Sequence, residues 1–317
     1  MACLMTWLVL CIPPSYATSQ SWSYRIDGIS ASAMTRDGIH IIAGSSSGIY
    51  YLFNEYGEVV FQDDLDIEIT SADVSRNNMI IGTQSATLIL SHSGEKLSHF
   101  TSEPVLSVAI SENDSCAISG TEINIFIFPS LRSVTEMYVG VPVNYVFVSS
   151  DGEKVAAATA DGIYVFMTED TTTFEYYGIS STSSMQFLGD GSLAAGTRDG
   201  SLYLIGETAD QIGETLGSII IVEPDGDMIV VGTSSGRVYI YDSSETEKTR
   251  FTVDNLVDCS ISQNGLIADG NLEILAVVNS GYTLKPWRIL AFEYASGDVK
   301  WSSIRFLSCE FDSISLS

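Results

Sequence analysis

The sequence predicts an all-β fold, a β-propeller of four-stranded blades, and three observations predict it. One pattern recurs about every 35–40 residues from Ile29 to Phe306. Its strongest copies, Gly38-Ile39-His40-Ile41-Ile42-Ala43-Gly44-Ser45, Gly191–Thr197 and Asp227–Thr233, align without gaps in their cores. Each copy runs on, after a Gly, to a Tyr-rich strand such as Ile49–Phe53, Leu202–Leu204 or Val238–Tyr241. A strand-only repeat of this length exposes apolar faces that only neighbouring copies can cover, which means blades around an axis.

The elements follow in order. Innermost strands are expected to begin near Ile29, Thr70, Val105, Val143, Ser183, Ser218 and Val257. The turns after them fall at Asp37-Gly38, Asn77-Asn78, Asn113-Asp114, Asp151-Gly152, Asp190-Gly191, Asp225-Gly226 and Asn264-Gly265, the residue pairs that tight hairpins select. Third strands are expected at Tyr50–Phe53, Leu88–Leu90, Ile125–Phe128, Tyr164–Phe166, Leu202–Ile205, Val238–Tyr241 and Ile289–Phe292. This makes seven full blades. Cys309–Ser315 reads as the inner strand of a partial eighth, and Ser21–Ile26 reads as an outer strand matching Val299–Trp301. The alternative is an eight-bladed ring truncated within its last blade. In the seventh unit, Leu266–Asn271 and Tyr282–Pro286 read as lengthened turns, and long loops on a rigid scaffold are where binding often sits.

Residues 1–17 read as an export signal of atypical form: Leu4–Ile12 is apolar and Ser15-Tyr16-Ala17 offers a cleavage site, but the basic n-region is missing. Residues 18–317 then form a single propeller domain, exported to the periplasm, the cell surface or the extracellular space. About nine apolar residues are too few to span a bilayer, so no membrane insertion of the mature chain is expected. The charge is strongly acidic, with 14 Lys plus Arg against 40 Asp plus Glu and a net charge of −26. Nucleic acid needs clustered cations and is excluded as a partner.

Few residues suggest chemistry. The three histidines, His40, His92 and His99, all fall in the first two blades and cannot supply a ring of ligands. Outside the signal, Cys116, Cys259 and Cys309 form no disulfide framework; a Cys259–Cys309 bridge and buried free thiols both remain open. Asp73, Glu112, Glu223, Asp258 and Glu310 lie in or just after inner strands. If several point into the channel, they would form an acidic tunnel able to hold a cation such as Ca²⁺. No catalytic residue and no cofactor-binding residue is assigned.

One stretch carries a family resemblance. Ala291-Phe292-Glu293-Tyr294-Ala295-Ser296-Gly297-Asp298-Val299-Lys300-Trp301 resembles the tryptophan-docking motif of quinoprotein-type propellers, Ala-x-Asp-x-x-Thr-Gly-x-x-x-Trp, with Glu293 for Asp and Ser296 for Thr. Tyr51–Phe61 is a looser, shorter copy. The chain is similar to exported archaeal and bacterial PQQ-binding-like or WD40-like repeat proteins over residues 22–317. The resemblance implies that the Trp packs between blades and the Gly makes the turn. The chain departs from the enzymatic branch, since it has no adjacent cysteines, no Gly-His, no Trp-Asp and no sialidase Asp-box. The expectation is a monomeric, non-enzymatic scaffold for protein or polysaccharide. The alternatives are a cation-dependent surface enzyme or ligand sensor using the channel, and a propeller module of a longer anchored protein.

Overall fold

The computed structural model describes residues 26, 28–35, 39–54, 56–225, 228–242, 247–252, 256–262, 265–270, 273–278, 289–293 and 298–303; side chains are described up to residue 222 and again at 229–241 and 250. Among these residues every regular element is a strand. Six consecutive antiparallel sheets have four strands each, in simple chain order. The inner strands are Ile29–Met34, Ile69–Val74, Val105–Ile110, Val143–Val148, Thr182–Phe187 and Ile219–Asp225. The second strands are His40–Ser45, Asn78–Thr83, Cys116–Thr121, Lys154–Thr159, Leu193–Thr197 and Met228–Thr233. The third strands are Ile49–Asn54, Ala86–Ser91, Asn124–Pro129, Ile163–Met167, Ser201–Ile205 and Arg237–Asp242. The outer strands are Val59–Asp64, Lys96–Thr101, Thr135–Tyr138, Asp170–Tyr177, Ala209–Glu214 and Glu247–Thr252. Inner strands of successive sheets pack side by side, as blades around an axis require. The fold is a β-propeller.

The seventh unit differs from its expected plan. Leu256–Ser262, Gly265–Gly270 and Glu273–Val278 form a three-stranded sheet, and Ile289–Glu293 pairs with Asp298–Ser303 as a hairpin. Leu266–Gly270 is therefore a strand rather than part of a lengthened turn. The Ser262↔Gly265 pairing leaves only two residues in the connection, and the strand then runs in register with the inner one. The expected loop at 282–286 and the expected strands at 21–25 and 309–315 lie outside the described residues.

Three devices recur along the chain. In all seven inner–second pairings the register skips one residue after the first of the inner strand, passing over Ser30, Thr70, Leu106, Asn144, Ser183, Ile220 and Val257. Such a bulge bends the strand and adds twist. Next, the hydroxyl ending each second strand closes the following turn. Thr83 Oγ1 donates to the Ala86 carbonyl at 3.1 Å and accepts the Ala86 N–H at 2.9 Å. Ser45, Thr121, Thr159, Thr197 and Thr233 do the same in their blades, and all six side chains are buried. This explains the Thr/Ser of the repeat, because a buried turn must satisfy its backbone groups internally.

The Gly before that hydroxyl is explained by close approach. A Cβ on Gly82 would stand 2.5 Å from Val105 Cγ1, and one on Gly120 would stand 2.5 Å from Val143 Cγ1. Gly44 faces Ile69 and Gly196 faces Ile219 in the same way. Each of these β-branched residues opens the next inner strand and is fully buried. At these four joints the Gly is thus the socket and the Val or Ile the knob that lock one blade onto the next, whereas blade 4 carries Ala158 before its hydroxyl Thr159 and faces an inner strand that opens with Thr182.

Candidate functional site

Polar groups near the axis serve mainly to join blades. Ser71 Oγ accepts the Val108 N–H, Ser107 Oγ accepts the Val146 N–H, and Ser184 Oγ accepts the Val222 N–H. Each caps the open edge of the next inner strand, a row of donors that would otherwise be unpaired. Asp73 does the same, taking the Ile110 N–H at 2.9 Å and its neighbour Val74 N–H at 2.8 Å. Burial pushes its carboxyl up to about 6, the charge of Glu112 adds to this, and the two N–H bonds oppose it. Ser30 and Ser183, at the bulges, donate to the Ile69 and Ile219 carbonyls of the following blade.

Of the five acidic channel candidates, Asp73 is thus an edge cap. Glu112 is exposed in the turn after its strand and lies close enough to Asp73 to act on it electrostatically. Glu223 takes the register position of Asp73, and Asp258 that of Ser71, but their side chains lie outside the described residues, as does all of Glu310. No group of three His, Cys, Asp or Glu suited to a metal ion occurs among the described residues. Cys116 is buried, with its thiol pushed up to about 12 by desolvation, while Cys259 and Cys309 side chains fall outside the description.

The turns between inner and second strands are joined as well. Asp114, at φ +62°, accepts from Ser75 Oγ and from both Asn77 and Asn78 amides of the preceding blade. Asn113 Nδ2 donates to the Asp151 carbonyl at 2.6 Å, and Lys154 Nζ donates to the Gly191 carbonyl at 2.8 Å. His40 and His92 meet across blades 1 and 2 with ring centroids 4.2 Å apart. Burial and the neighbouring His40 lower the pKa of His92, against its bond to the Asn78 carbonyl and the charge of Asp114. His99 is exposed on an outer strand.

The docking motif is partly visible. Ala291 pairs with Trp301 and Glu293 with Asp298 across the last hairpin; Ser296 and Gly297 lie outside the described residues. The shorter copy shows the packing: Phe61, at the Trp position, lies against Tyr50 and fills the space over Gly94 of the next blade.

A cleft of about 620 Å³ opens between blades 4 and 5. Its blade 4 wall is Val165, Phe166 and Met167 with Phe174, Glu175 and Tyr177 of the outer strand, and its blade 5 wall includes Phe187, Ile205, Gly206 and Glu207. On the other face of the blade 4 outer strand, turned toward blade 3, Phe174 is 47% exposed and Tyr176 48%, and Tyr164 packs against both rings at 5.4 and 5.1 Å. Tyr177 shares its hydroxyl proton between Glu175 Oε2 at 2.8 Å and the Gly206 carbonyl at 3.2 Å. Burial and Glu175 push that phenol up to about 12, so it stays a donor at neutral pH. Hydrogen bonds from Ser192, aided by Lys154, hold Asp190 below the usual carboxylate range. Sequence reading assigned no role to this region. The signal that marks it is Phe174-Glu175-Tyr176-Tyr177, an aromatic run on an outer strand of eight residues where the other blades have four or six.

No protein-family model and no curated protein matches the sequence. Solved structures do. The chain is similar to the computationally designed Ika8 protein, with TM-score 0.67 and 13% identity over 90% of this chain and 89% of the other. It is similar to U3-55K, with TM-score 0.59 and 15% identity over 78% of this chain and 89% of the other. It is also similar to BamB from Moraxella catarrhalis, with TM-score 0.59 and 17% identity over 79% of this chain and 83% of the other. At such identities the likeness shows the β-propeller repeat fold.

Proposed function

We propose that this chain is a non-enzymatic, exported interaction scaffold that binds protein or polysaccharide. The observation that carries this reading is the open cleft between blades 4 and 5, lined by Phe174, Tyr177 and Phe187 among others, with the rings of Phe174 and Tyr176 exposed on the same outer strand. Exposed aromatics on a rigid frame supply contact area at little entropic cost. The polar residues near the axis support the same reading, because Asp73, Ser71, Ser107 and Ser184 are engaged in capping the next strand. Export is supported by the apolar stretch Leu4–Ile12 and its following small-residue site, and by the acidic composition.

Site-specific photocrosslinking tests the binding role. A photoreactive phenylalanine at position 174, in cells that make the protein, is expected to trap a macromolecule that the same group at position 95 does not. Equal trapping at both, or none at 174, overturns the role. Export is checked by N-terminal sequencing of natural material, which is expected to begin at Thr18. Thermal unfolding with EDTA, Ca²⁺ or PQQ is expected to show no shift beyond a general salt effect. A rise of several degrees with one of them would replace this reading with a cation- or cofactor-dependent one.

A further inference from the structure

We propose that His40 and His92 form a two-imidazole site for a late first-row divalent cation such as Ni²⁺ or Cu²⁺, an ion that would staple blade 1 to blade 2. The inference goes beyond the scaffold reading and does not depend on it. His40 opens the second strand of blade 1, and His92 follows the third strand of blade 2. Their ring centres are 4.2 Å apart across the joint. Both residues are half-buried, so solvent and an ion can reach them. The backbone holds each in place. The His40 N–H donates to Thr35 Oγ1 at 3.0 Å, and the His92 N–H donates to the Asn77 carbonyl at 3.0 Å.

The ring nitrogens decide what the pair can do. His92 Nε2 lies 3.3 Å from the Asn78 carbonyl, with the Ser75 carbonyl also close to the ring. A carbonyl only accepts, so Nε2 carries the proton and the neutral ring keeps its lone pair on Nδ1. A metal-ligating histidine has this arrangement, its other nitrogen fixed by a carbonyl or carboxylate. The His40 ring makes no hydrogen bond among the described residues, so its lone pair is uncommitted. Two imidazoliums this close repel, whereas one cation between two neutral rings attracts both. With metal–nitrogen bonds of about 2.1 Å, an ion stands about 3.2 Å from each ring centre, and centres 4.2 Å apart then subtend about 80° at it. Neighbouring positions of a tetragonal ion lie near that angle. Imidazole also favours Cu²⁺ and Ni²⁺ over the oxygen-seeking Ca²⁺ and Mg²⁺. Asp114 lies close enough to His92 to act on its charge, and offsets that of the ion. No third His, Cys, Asp or Glu completes a cage among the described residues, so water fills the remaining positions and the ion exchanges.

The test is thermal unfolding of the full chain, stripped of metal, in chelator-free buffer near pH 7.5 with about 0.2 mM Ni²⁺. A rise of about 3 °C is expected, against less than about 0.5 °C with the same concentration of Mg²⁺. His40→Gln and His92→Gln are each expected to lose the rise, measured from their own metal-free midpoints. His99→Gln, on the outer strand of blade 2, is expected to keep it. Pulsed EPR with one equivalent of Cu²⁺ counts the ligands on the wild-type protein, without any variant, and is expected to show two imidazoles. One imidazole or none overturns the proposal. So does the absence of a rise with Ni²⁺, or an equal rise with Mg²⁺, which would mark surface carboxylates instead. Retention of the full rise in either His40→Gln or His92→Gln, or its loss in His99→Gln, overturns it as well.

Discussion

Gly82→Ala probes the joint between blades 2 and 3. The new methyl carbon would lie 2.5 Å from Val105 Cγ1, 3.0 Å from Val105 Cβ and 3.1 Å from Val108 Cγ1. Ordinary carbon contacts lie near 3.5–4.0 Å, so about 1 Å of displacement is needed. Val105 is fully buried in a cluster with Ile80, Ile89 and Phe126, and has little room to yield. Overpacking of this kind costs about 1–3 kcal/mol, partly offset by the roughly 0.5–1 kcal/mol that Ala gains over Gly in a strand. Val105→Ala alone removes two buried methyl groups and costs about 2–3 kcal/mol. The double variant puts the methyl added at position 82 where the valine methyls were. Its loss should fall short of the sum of the singles by at least about 1 kcal/mol. Equilibrium urea unfolding of the four proteins, with unchanged m-values, gives this coupling. Additivity within about 0.5 kcal/mol would refute the knob-and-socket account of the repeat glycine.

Three further outcomes follow from the same geometry. Thr121→Val leaves the buried Asn124 N–H without its partner and should cost about 1–3 kcal/mol in the same assay, whereas Thr121→Ser should be milder. Asp73 binds its proton more tightly folded, near pH 6, than unfolded, near 3.8, so its penalty is absent below about pH 4 and complete above pH 6. Asp73→Asn should remove a loss of about 1–3 kcal/mol from the wild-type stability profile between those limits, and parallel profiles would contradict the assignment. His92 binds its proton less tightly folded than unfolded, so its contribution is present above the ordinary histidine range and lost as pH falls. The difference between wild type and His92→Gln should shrink from pH 7.5 to pH 5, and a constant difference would contradict it.

The strands were legible because a buried blade imposes its rules locally. Alternation, Asp-Gly and Asn-Gly turns and the Gly-Thr ending placed the six complete inner strands within one residue of where they lie, from Ile29 to Ile219. Leu266–Gly270 was misread because its turn signals resemble loop residues; only pairing with Leu256–Ser262 makes it a strand.

The acidic residues show the limit of sequence most clearly. Asp73 was legible as a carboxylate beside the axis, but whether it faces a cation or the next blade's N–H groups depends on a bulge that leaves no mark in residue type. The cleft between blades 4 and 5 was equally hidden. Its two walls come from residues 154–177 and 187–207, and their spacing is set by how two sheets splay outward from a packed centre. Sequence by itself determined the repeat, the strands and the turns, because these answer to neighbours a few residues away. Only the tertiary structure decided which polar groups remain for a ligand, because that depends on what the adjoining blade has already satisfied.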